Sequence, residues 1–329
     1  MESARAPNLA TKPINPAATA VTTAQRILGN VERVLEGKRE VVELAVATLF
    51  ARGHLLIEDV PGVGKTTLAR ALAVSVGLEF RRVQFTSDLM PADVLGGSVY
   101  SQATGEFTFR GGPIFTHVLL ADEINRTTPK TQSALLEAMG ERRVSIDGET
   151  RVLDDPFFVL ATQNPEEFYG TYPLPESQLD RFLMRLRIGY PAQDVERQVL
   201  ARRRGDDPID ELEPVVDRRE LLAAQDAVDH VRTSDELIDY LHSLVLATRS
   251  TPLLSIGAST RAALALERAV RAYALVLGRN YAIPDDVKTV AVAVLAHRVR
   301  PAGQRDGLSS AGDGERVVRE LLSALPVPV

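Results

Sequence analysis

Hydrophobic positions in the first 190 residues follow two alternating patterns. Short apolar runs bounded by turn residues, such as His54 to Asp59 between Gly53 and Pro61, are typical of strands buried on both faces of a parallel sheet. Between most of these runs, apolar residues recur at helical spacing. The alternation predicts a doubly wound α/β domain with a mostly parallel sheet. The further predicted strands are residues 81–86, 117–121, 157–162 and 186–190.

The pattern changes after Pro191, where only helical periodicity remains. Thr233 with Glu236 has the spacing of a capping box, and Pro284 followed by two aspartates is typical of a helix start. We therefore expect a small all-α lid behind the α/β domain. The predicted division is a disordered tail over residues 1–22, an α/β core over 23–190, a helical lid over 191–300, and a C-terminal tail with a short helix over 301–329.

The amino-acid composition argues against several classes of protein and site. The 329 residues carry a net charge of −6, which disfavours a nucleic-acid-binding role. The chain has no cysteine, so a disulfide framework and thiolate metal sites are excluded, and its five histidines lack ligand spacing. No signal peptide and no apolar stretch of membrane-spanning length is visible. We expect a cytoplasmic protein without a membrane span.

A phosphate-binding loop is predicted directly after the first apolar run. Glycines allow backbone N–H groups to face phosphate oxygens, and the helix that follows adds the positive end of its dipole. Lys65 is placed to reach the β- and γ-phosphates, and the Thr66 hydroxyl to bind Mg²⁺. Asp59 stands where the usual loop pattern has its first glycine. The loop consists of Pro61, Gly62, Val63, Gly64, Lys65, Thr66 and Thr67.

Carboxylates at the end of the third predicted strand supply the second part of the site. A buried strand that ends in Asp122 and Glu123 implies that the charges meet a cation or water. Asp122 suits Mg²⁺ binding, and Glu123 suits polarisation of the attacking water. Asn164, after the fourth strand, either orients that water or forms a turn before Pro165.

Together these motifs resemble the AAA+ ATPases, and specifically their MoxR branch, from about residue 24 to the C-terminus. MoxR-like sequences also carry aspartate at the position of Asp59. The stretches that carry the resemblance are Glu58-Asp59-Val60-Pro61-Gly62-Val63-Gly64-Lys65-Thr66, Ala121-Asp122-Glu123-Ile124-Asn125-Arg126, Ala161-Thr162-Gln163-Asn164-Pro165, Gly170-Thr171-Tyr172-Pro173-Leu174-Pro175-Glu176 and Gln178-Leu179-Asp180-Arg181-Phe182.

The resemblance implies roles that spacing alone does not give. Asn164 matches the sensor-1 position, Arg181 the arginine finger that acts on a neighbouring subunit, and Arg261 the sensor-2 position on the lid. Its cofactors would be ATP and Mg²⁺, with ATP bound between core and lid. MoxR-like proteins form rings, here expected to be a hexamer. They are thought to act as chaperones that remodel partner complexes, often proteins with a von Willebrand factor A domain.

Two hairpins are also predicted, one over Val99 to Phe109 and one over Val144 to Val152. The second has an Asp147-Gly148 turn, a strong hairpin signal. In relatives such hairpins face partners or a ring pore, and the alternative is an extension of the main sheet. Three functions remain alternatives at this point: the motor of a metal chelatase, a nucleic-acid-remodelling motor, and a module that binds ATP without turnover.

Overall fold

The computed structural model describes residues 16–164, 170–202, 208–303 and 311–328. The strands are β1 Leu55–Glu58, β2 Phe80–Gln84, β3 Gly96–Ser101, β4 Glu106–Gly111, β5 Val118–Asp122, β6 Arg143–Ile146, β7 Glu149–Val152, β8 Phe158–Gln163, β9 Met184–Leu186, β10 Leu254–Ile256 and β11 Arg300–Pro301. The helices are α1 Pro16–Glu32, α2 Arg39–Phe50, α3 Lys65–Ser75, α4 Pro91–Leu95, α5 Pro129–Glu141, α6 Glu176–Leu179, α7 Gln193–Arg202, α8 Arg218–Ala227, α9 Asp235–Ser250, α10 Thr260–Val276, α11 Pro284–Leu295 and α12 Ala311–Ala324.

Five strands form a parallel sheet in the order β2-β5-β8-β1-β9. Every residue of β1 and β5 is buried, which explains their uninterrupted apolar runs. Leu55 and Ile57 belong to the core cluster that contains α1, α2 and α3, whereas Leu56 faces a second cluster with Ile124 and Leu135. Helices therefore cover both faces, and the predicted doubly wound α/β fold with a helical lid is confirmed.

The lid contains α8 to α11, against which α12 packs. The Ser234 hydroxyl, and not that of Thr233, caps α9 by accepting a hydrogen bond from the N–H of Leu237. The expectation of helices alone is wrong in one detail, because β10 and β11 form a short antiparallel pair. Within the described ranges, no helix is both long enough and apolar enough to cross a membrane.

Two predicted boundaries differ from the structure. The tail predicted over residues 1–22 is too long, because α1 begins at Pro16 and buries Ala20 and Ala24 against the core; residues 1–15 lie outside the described residues. The last strand of the sheet is β9 and not residues 186–190. Beyond Leu186 the backbone N–H groups of Ile188 and Gly189 donate to the Asp59 carboxylate instead of to a neighbouring strand.

Both hairpins are present, as β3-β4 and β6-β7. Asp147 and Gly148 have φ of 53° and 81°, the two positive values that a type I′ turn requires. Each hairpin forms a separate two-stranded sheet, so the alternative that they extend the main sheet is wrong. Asp147 accepts hydrogen bonds from the N–H and the hydroxyl of Ser98, which joins the two hairpins. A groove of about 680 Å³ lies between them.

Candidate nucleotide site and arginine residues

The phosphate loop connects β1 to α3 at the carboxyl edge of the sheet. Gly62 and Gly64 have φ of 85° and 98°, a region that L side chains rarely adopt. A Cβ on Gly64 would also lie only 3.0 Å from Leu35 Cδ1. Gly64 is the N-cap of α3, so the first-turn N–H groups of this helix have no partner within it. The loop therefore fits a bound phosphate chain.

Lys65 begins α3, and its ammonium donates a 2.7 Å hydrogen bond to the carbonyl oxygen of Asp59. The Asp59 side chain, 8% exposed, accepts hydrogen bonds from the N–H groups of Val60, Ile188 and Gly189 at 2.8, 2.7 and 2.6 Å. Such charge-assisted bonds stabilise a carboxylate that burial alone would disfavour. The departure from the usual loop pattern thus has a structural role.

Asp122 ends β5 at the same edge of the sheet as the phosphate loop, with β8 between β5 and β1. Its Oδ1 accepts a 2.5 Å hydrogen bond from the Thr162 hydroxyl on β8. Its Oδ2 accepts two hydrogen bonds from the Arg82 guanidinium on β2, the shorter of 2.6 Å. A carboxylate has about four lone-pair sites, so these bonds leave Asp122 able to accept from a metal-bound water. Asp122 and the Thr66 hydroxyl fit Mg²⁺, which prefers oxygen ligands.

Glu123 adopts a left-handed conformation, with φ of 57° and ψ of 50°. This conformation is uncommon for residues other than glycine, and it occurs here at a candidate catalytic position. The Thr162 hydroxyl oxygen accepts a 2.9 Å hydrogen bond from the Glu123 N–H. The Glu123 carboxylate accepts a 2.6 Å hydrogen bond from the Gln84 amide and forms an ion pair with Arg126. Thr162 therefore holds both carboxylate residues.

Asn164 follows β8 at the same edge and is 7% exposed. Because β8 lies between β5 and β1, Asn164 is positioned between the carboxylates and the phosphate loop. Pro165, which belongs to the same motif, lies outside the described residues. The sequence did not reveal Arg82, Gln84 or Thr162 as part of this site. Their polar side chains, near the ends of two predicted strands, could have indicated that they belong to it.

Arg181 lies at the opposite, amino edge of the sheet. It precedes β9, whose first residue Met184 pairs with the first residue of β1. The Leu183 N–H donates to the carbonyl of His54, just before β1. The Arg181 guanidinium donates a 2.9 Å hydrogen bond to the Leu136 carbonyl on α5. A Cβ on residue 140 of α5 would lie 2.1 Å from this guanidinium, so a larger residue there would displace the Arg181 side chain from its present position.

Arg261, the candidate sensor, lies at the same edge as Arg181. Its Nε is 3.5 Å from Asp180 Oδ2, and its side chain is 68% exposed. Two turns further along α10, Arg268 donates to the carbonyl of Ala51 before β1. The length of β1 separates this edge from the phosphate loop by about 10 Å, at about 3.3 Å per residue. The structure therefore places Arg261 beside Asp180 at the amino edge, and its contact with a nucleotide stays a prediction.

Arg298, which the sequence did not single out, holds the segment that contains Arg181. Its side chain is 4% exposed and donates to the carboxylate of Asp180 at 2.7 Å. It also donates to the carbonyls of Phe182 and Leu183, at 2.6 and 3.0 Å. Burial lowers the pKa of Arg298, while the hydrogen bond and charge of Asp180 raise it. The lid thus fixes the backbone on either side of Arg181.

Comparison with known proteins agrees with this architecture. Residues 54–184 match the family of ATPases associated with various cellular activities (AAA), and residues 246–321 match the AAA lid domain. The chain is 40% identical over 320 residues to Chaperone MoxR1 of Mycobacterium tuberculosis, covering 94% of this chain and 84% of that protein. The chain belongs to the MoxR family of AAA+ ATPases. It is an ATPase.

Two further relatives align with this chain over nearly its whole length. The protein YeaC of Bacillus subtilis is 50% identical over 302 residues, which is 91% of this chain and 93% of YeaC. The crystal structure of a candidate ATPase from Cytophaga hutchinsonii superposes with a TM-score of 0.84 at 34% identity, covering 95% of this chain and 97% of that one. Core and lid are therefore shared in full with a solved structure.

Proposed function

We propose that this protein hydrolyses ATP with Mg²⁺ in a ring of identical subunits, and that the ring remodels partner protein complexes. The observation that carries the proposal is the separation of the two halves of the site. The phosphate loop, Asp122 and Glu123 lie at the carboxyl edge of the sheet, whereas Arg181 and Arg261 lie at the amino edge. A second subunit can bring the two edges together.

At the carboxyl edge, the position of each residue suits a specific part of ATP binding or hydrolysis. Lys65 leaves the Asp59 carbonyl to contact the β- and γ-phosphates, and the amides of the loop bind phosphate oxygens. Mg²⁺ supplies neutralising charge when bound; Thr66 and Asp122 would hold it. Glu123 accepts the proton of the attacking water, which Asn164 orients. The Gln84 hydrogen bond holds one oxygen of the Glu123 carboxylate, and the remaining lone pairs can accept from water.

At the amino edge the two arginines would serve the nucleotide of the neighbouring subunit. The planar guanidinium of Arg181 suits two oxygens of a γ-phosphate. Arg261 is the more exposed of the two and lies at the first turn of α10, where the helix dipole disfavours a cation. A phosphate of the adjacent subunit would offset that cost. We expect a hexamer, as in the ring ATPases that the sequence resembles.

The remodelling role rests on the relatives and on the two hairpins. The relative from M. tuberculosis is named a chaperone. In this chain the hairpins expose Tyr100 and Phe107, whose rings lie 5.2 Å apart, on a surface separate from the nucleotide site. Exposed aromatic residues of this kind are typical of protein contacts. We propose that the client is a protein complex, with a von Willebrand factor A domain protein as the first candidate.

Two measurements test this function. Light scattering of the Glu123→Gln variant with ATP and Mg²⁺ should give the mass of six chains, and a monomer under these conditions would contradict the ring. Pull-down with the same variant should retain a protein partner, whereas a variant with Phe107→Ala and Tyr100→Ala should lose it. Retention of that partner at full yield by the double variant would remove the hairpins from the proposal.

A further inference from the structure

We propose that Asp59 is a positioning residue that couples the phosphate loop to the connection between core and lid. The connection is defined here as residues 187–192, between β9 and α7. The inference rests on the proposed nucleotide site and goes beyond it, because it gives a task to the residue that replaces the first loop glycine. Asp59 does not contact the reacting atoms and acts through the segments that it joins.

The side chain of Asp59 spans two segments that are distant in the sequence. Its Oδ1 accepts from the N–H of Val60, the residue directly before the phosphate loop. Its Oδ2 accepts from the N–H groups of Ile188 and Gly189, which are 129 and 130 residues away in the sequence. A glycine at position 59 has no side chain to make any of these bonds. In the ordinary loop pattern the connection would therefore lack this anchor.

The connection is shaped to receive the carboxylate. Gly189 has φ of 66°, and two successive N–H groups that converge beside such a residue form a concave anion-binding site. The Lys38 ammonium holds the following residue by donating a 2.7 Å hydrogen bond to the carbonyl of Tyr190. The connection thus has two anchors, one on the phosphate loop and one on the N-cap of α2.

The main chain of Asp59 is joined to the catalytic elements. Its N–H donates to the carbonyl of Gln163 on β8, at 3.2 Å. Its carbonyl accepts the hydrogen bond from the Lys65 ammonium. When Lys65 turns to a phosphate, the residue that anchors the connection loses one of its bonds. Phosphate binding therefore changes how Asp59 holds the connection. By thermodynamic linkage, the connection alters nucleotide affinity by the same factor by which nucleotide alters the equilibrium of the connection.

Hydrogen exchange of the connection tests this coupling. The amides of Ile188 and Gly189 are followed with and without ADP in the full-length wild type and in the Asp59→Asn and Asp59→Gly variants. In the wild type we expect ADP to change their exchange rate by about fivefold or more, the lower end of measured couplings between sites. In both variants we expect faster exchange and no response to ADP. Binding of a fluorescent ADP analogue is measured on the same samples.

Lys38→Ala is the matched control, because it frees the same connection at Tyr190 without touching the phosphate loop. In the Lys38→Ala variant we expect faster amide exchange in the connection, while the exchange of Ile188 and Gly189 still responds to ADP. If the wild type binds ADP and the two amides do not respond, or if both Asp59 variants respond as the wild type does, the coupling is overturned while the nucleotide site stands. If the wild type does not bind ADP, the nucleotide site itself is wrong.

Discussion

The two edges of the parallel sheet hold their functional side chains in different ways. At the carboxyl edge the strands themselves supply the partners, since Thr162 and Arg82 on adjacent strands bind Asp122. At the amino edge the lid supplies them, because Asp180 pairs with Arg298, 118 residues later in the chain. The carboxyl edge is therefore complete within the core, whereas the position of Arg181 depends on how the lid is docked.

This difference separates two tasks of the molecule. We propose that residues at the carboxyl edge bind nucleotide and prepare water within one subunit. Residues at the amino edge lie about the length of β1 away from the phosphate loop, and we propose that their effect on turnover requires a neighbouring subunit. Variants at the two edges should consequently differ in kind: carboxyl-edge variants act within a subunit and amino-edge variants act across an interface.

The largest effect is expected at the amino edge. Arg181→Ala should still bind ATP but should hydrolyse it about 10³–10⁵-fold more slowly, the range known for arginine fingers supplied by another chain. The measurement is steady-state ATPase rate together with nucleotide affinity. Arg316→Ala, an exposed arginine on α12 paired with Glu320, serves as the control and should keep its rate. A loss of ATP affinity as large as the loss of rate would contradict the separation of the edges.

At the carboxyl edge, Glu123→Gln should keep ATP binding and lose about 10²–10⁴-fold in turnover. The amide cannot accept the proton of the attacking water, and positioned acid–base groups contribute on this scale. The rate is compared with that of Glu137→Gln, which changes an exposed carboxylate on α5. Turnover of the Glu123→Gln variant near the wild-type rate would make Glu123 a bystander.

His54, at the amino edge, should make the stability of the fold sensitive to acid. Val159 donates to its Nδ1, and its Nε2 donates to the carbonyl of Met139. Burial is the main cause that lowers the pKa of His54 from 6.5 to about 4; the bond to Met139 opposes this shift and the charge of Arg142 adds to it. The unfolded chain binds more protons than the native chain between these values. The contribution of neutral His54 to the free energy of unfolding is therefore fully present above a pH of about 6.5, and it is lost as the pH decreases to about 4.

The loss attributed to His54 should be about 3 kcal/mol of unfolding free energy, from 1.36 kcal/mol for each pKa unit. Urea unfolding at pH 7 and at pH 4 measures it. His54→Asn keeps an acceptor for the Val159 N–H and should flatten the pH dependence, whereas the exposed His242→Gln should not. An unchanged slope in the His54→Asn variant would show that another group titrates.

The smallest effect is expected from Thr162→Val at the carboxyl edge. The variant removes the hydroxyl that binds both Asp122 and the N–H of Glu123. Leaving such groups unsatisfied costs about 1–3 kcal/mol, or roughly tenfold or more in kcat, with little change in KM. Thr162→Ser should restore the rate. If serine fails to restore it, the methyl group and packing matter more than the hydroxyl.

The sequence predicted the phosphate loop and the two carboxylates of the carboxyl edge because this part of its chemistry is contiguous. Strand, glycine loop and lysine follow one another, and Asp122 and Glu123 end a buried strand. The Asp147-Gly148 turn likewise revealed its hairpin. The end of the sheet was misplaced because Asp59 binds the N–H groups of Ile188 and Gly189, a contact between distant segments that local periodicity does not contain.

The amino edge could be predicted only in part for the same reason. Arg181 was found by resemblance, but its surroundings depend on Asp180, Arg261 and Arg298, which are brought together by docking of the lid. Arg298 lies in no motif, and burial with several carbonyl partners is visible only in three dimensions. Spacing along the chain likewise could not show that Arg261 lies beside Asp180 at the amino edge.

Mixing two inactive variants tests most directly whether the edges of different subunits form one site. Lys65→Ala should lose nucleotide binding, because Lys65 supplies the ammonium that reaches the phosphates. Arg181→Ala should bind nucleotide and turn over very slowly. In mixed rings, some interfaces join an intact phosphate loop of one variant to an intact Arg181 of the other. ATPase rate is measured against mixing ratio after verified subunit exchange. We predict activity that peaks at intermediate ratios; no activity at any ratio would contradict the shared site.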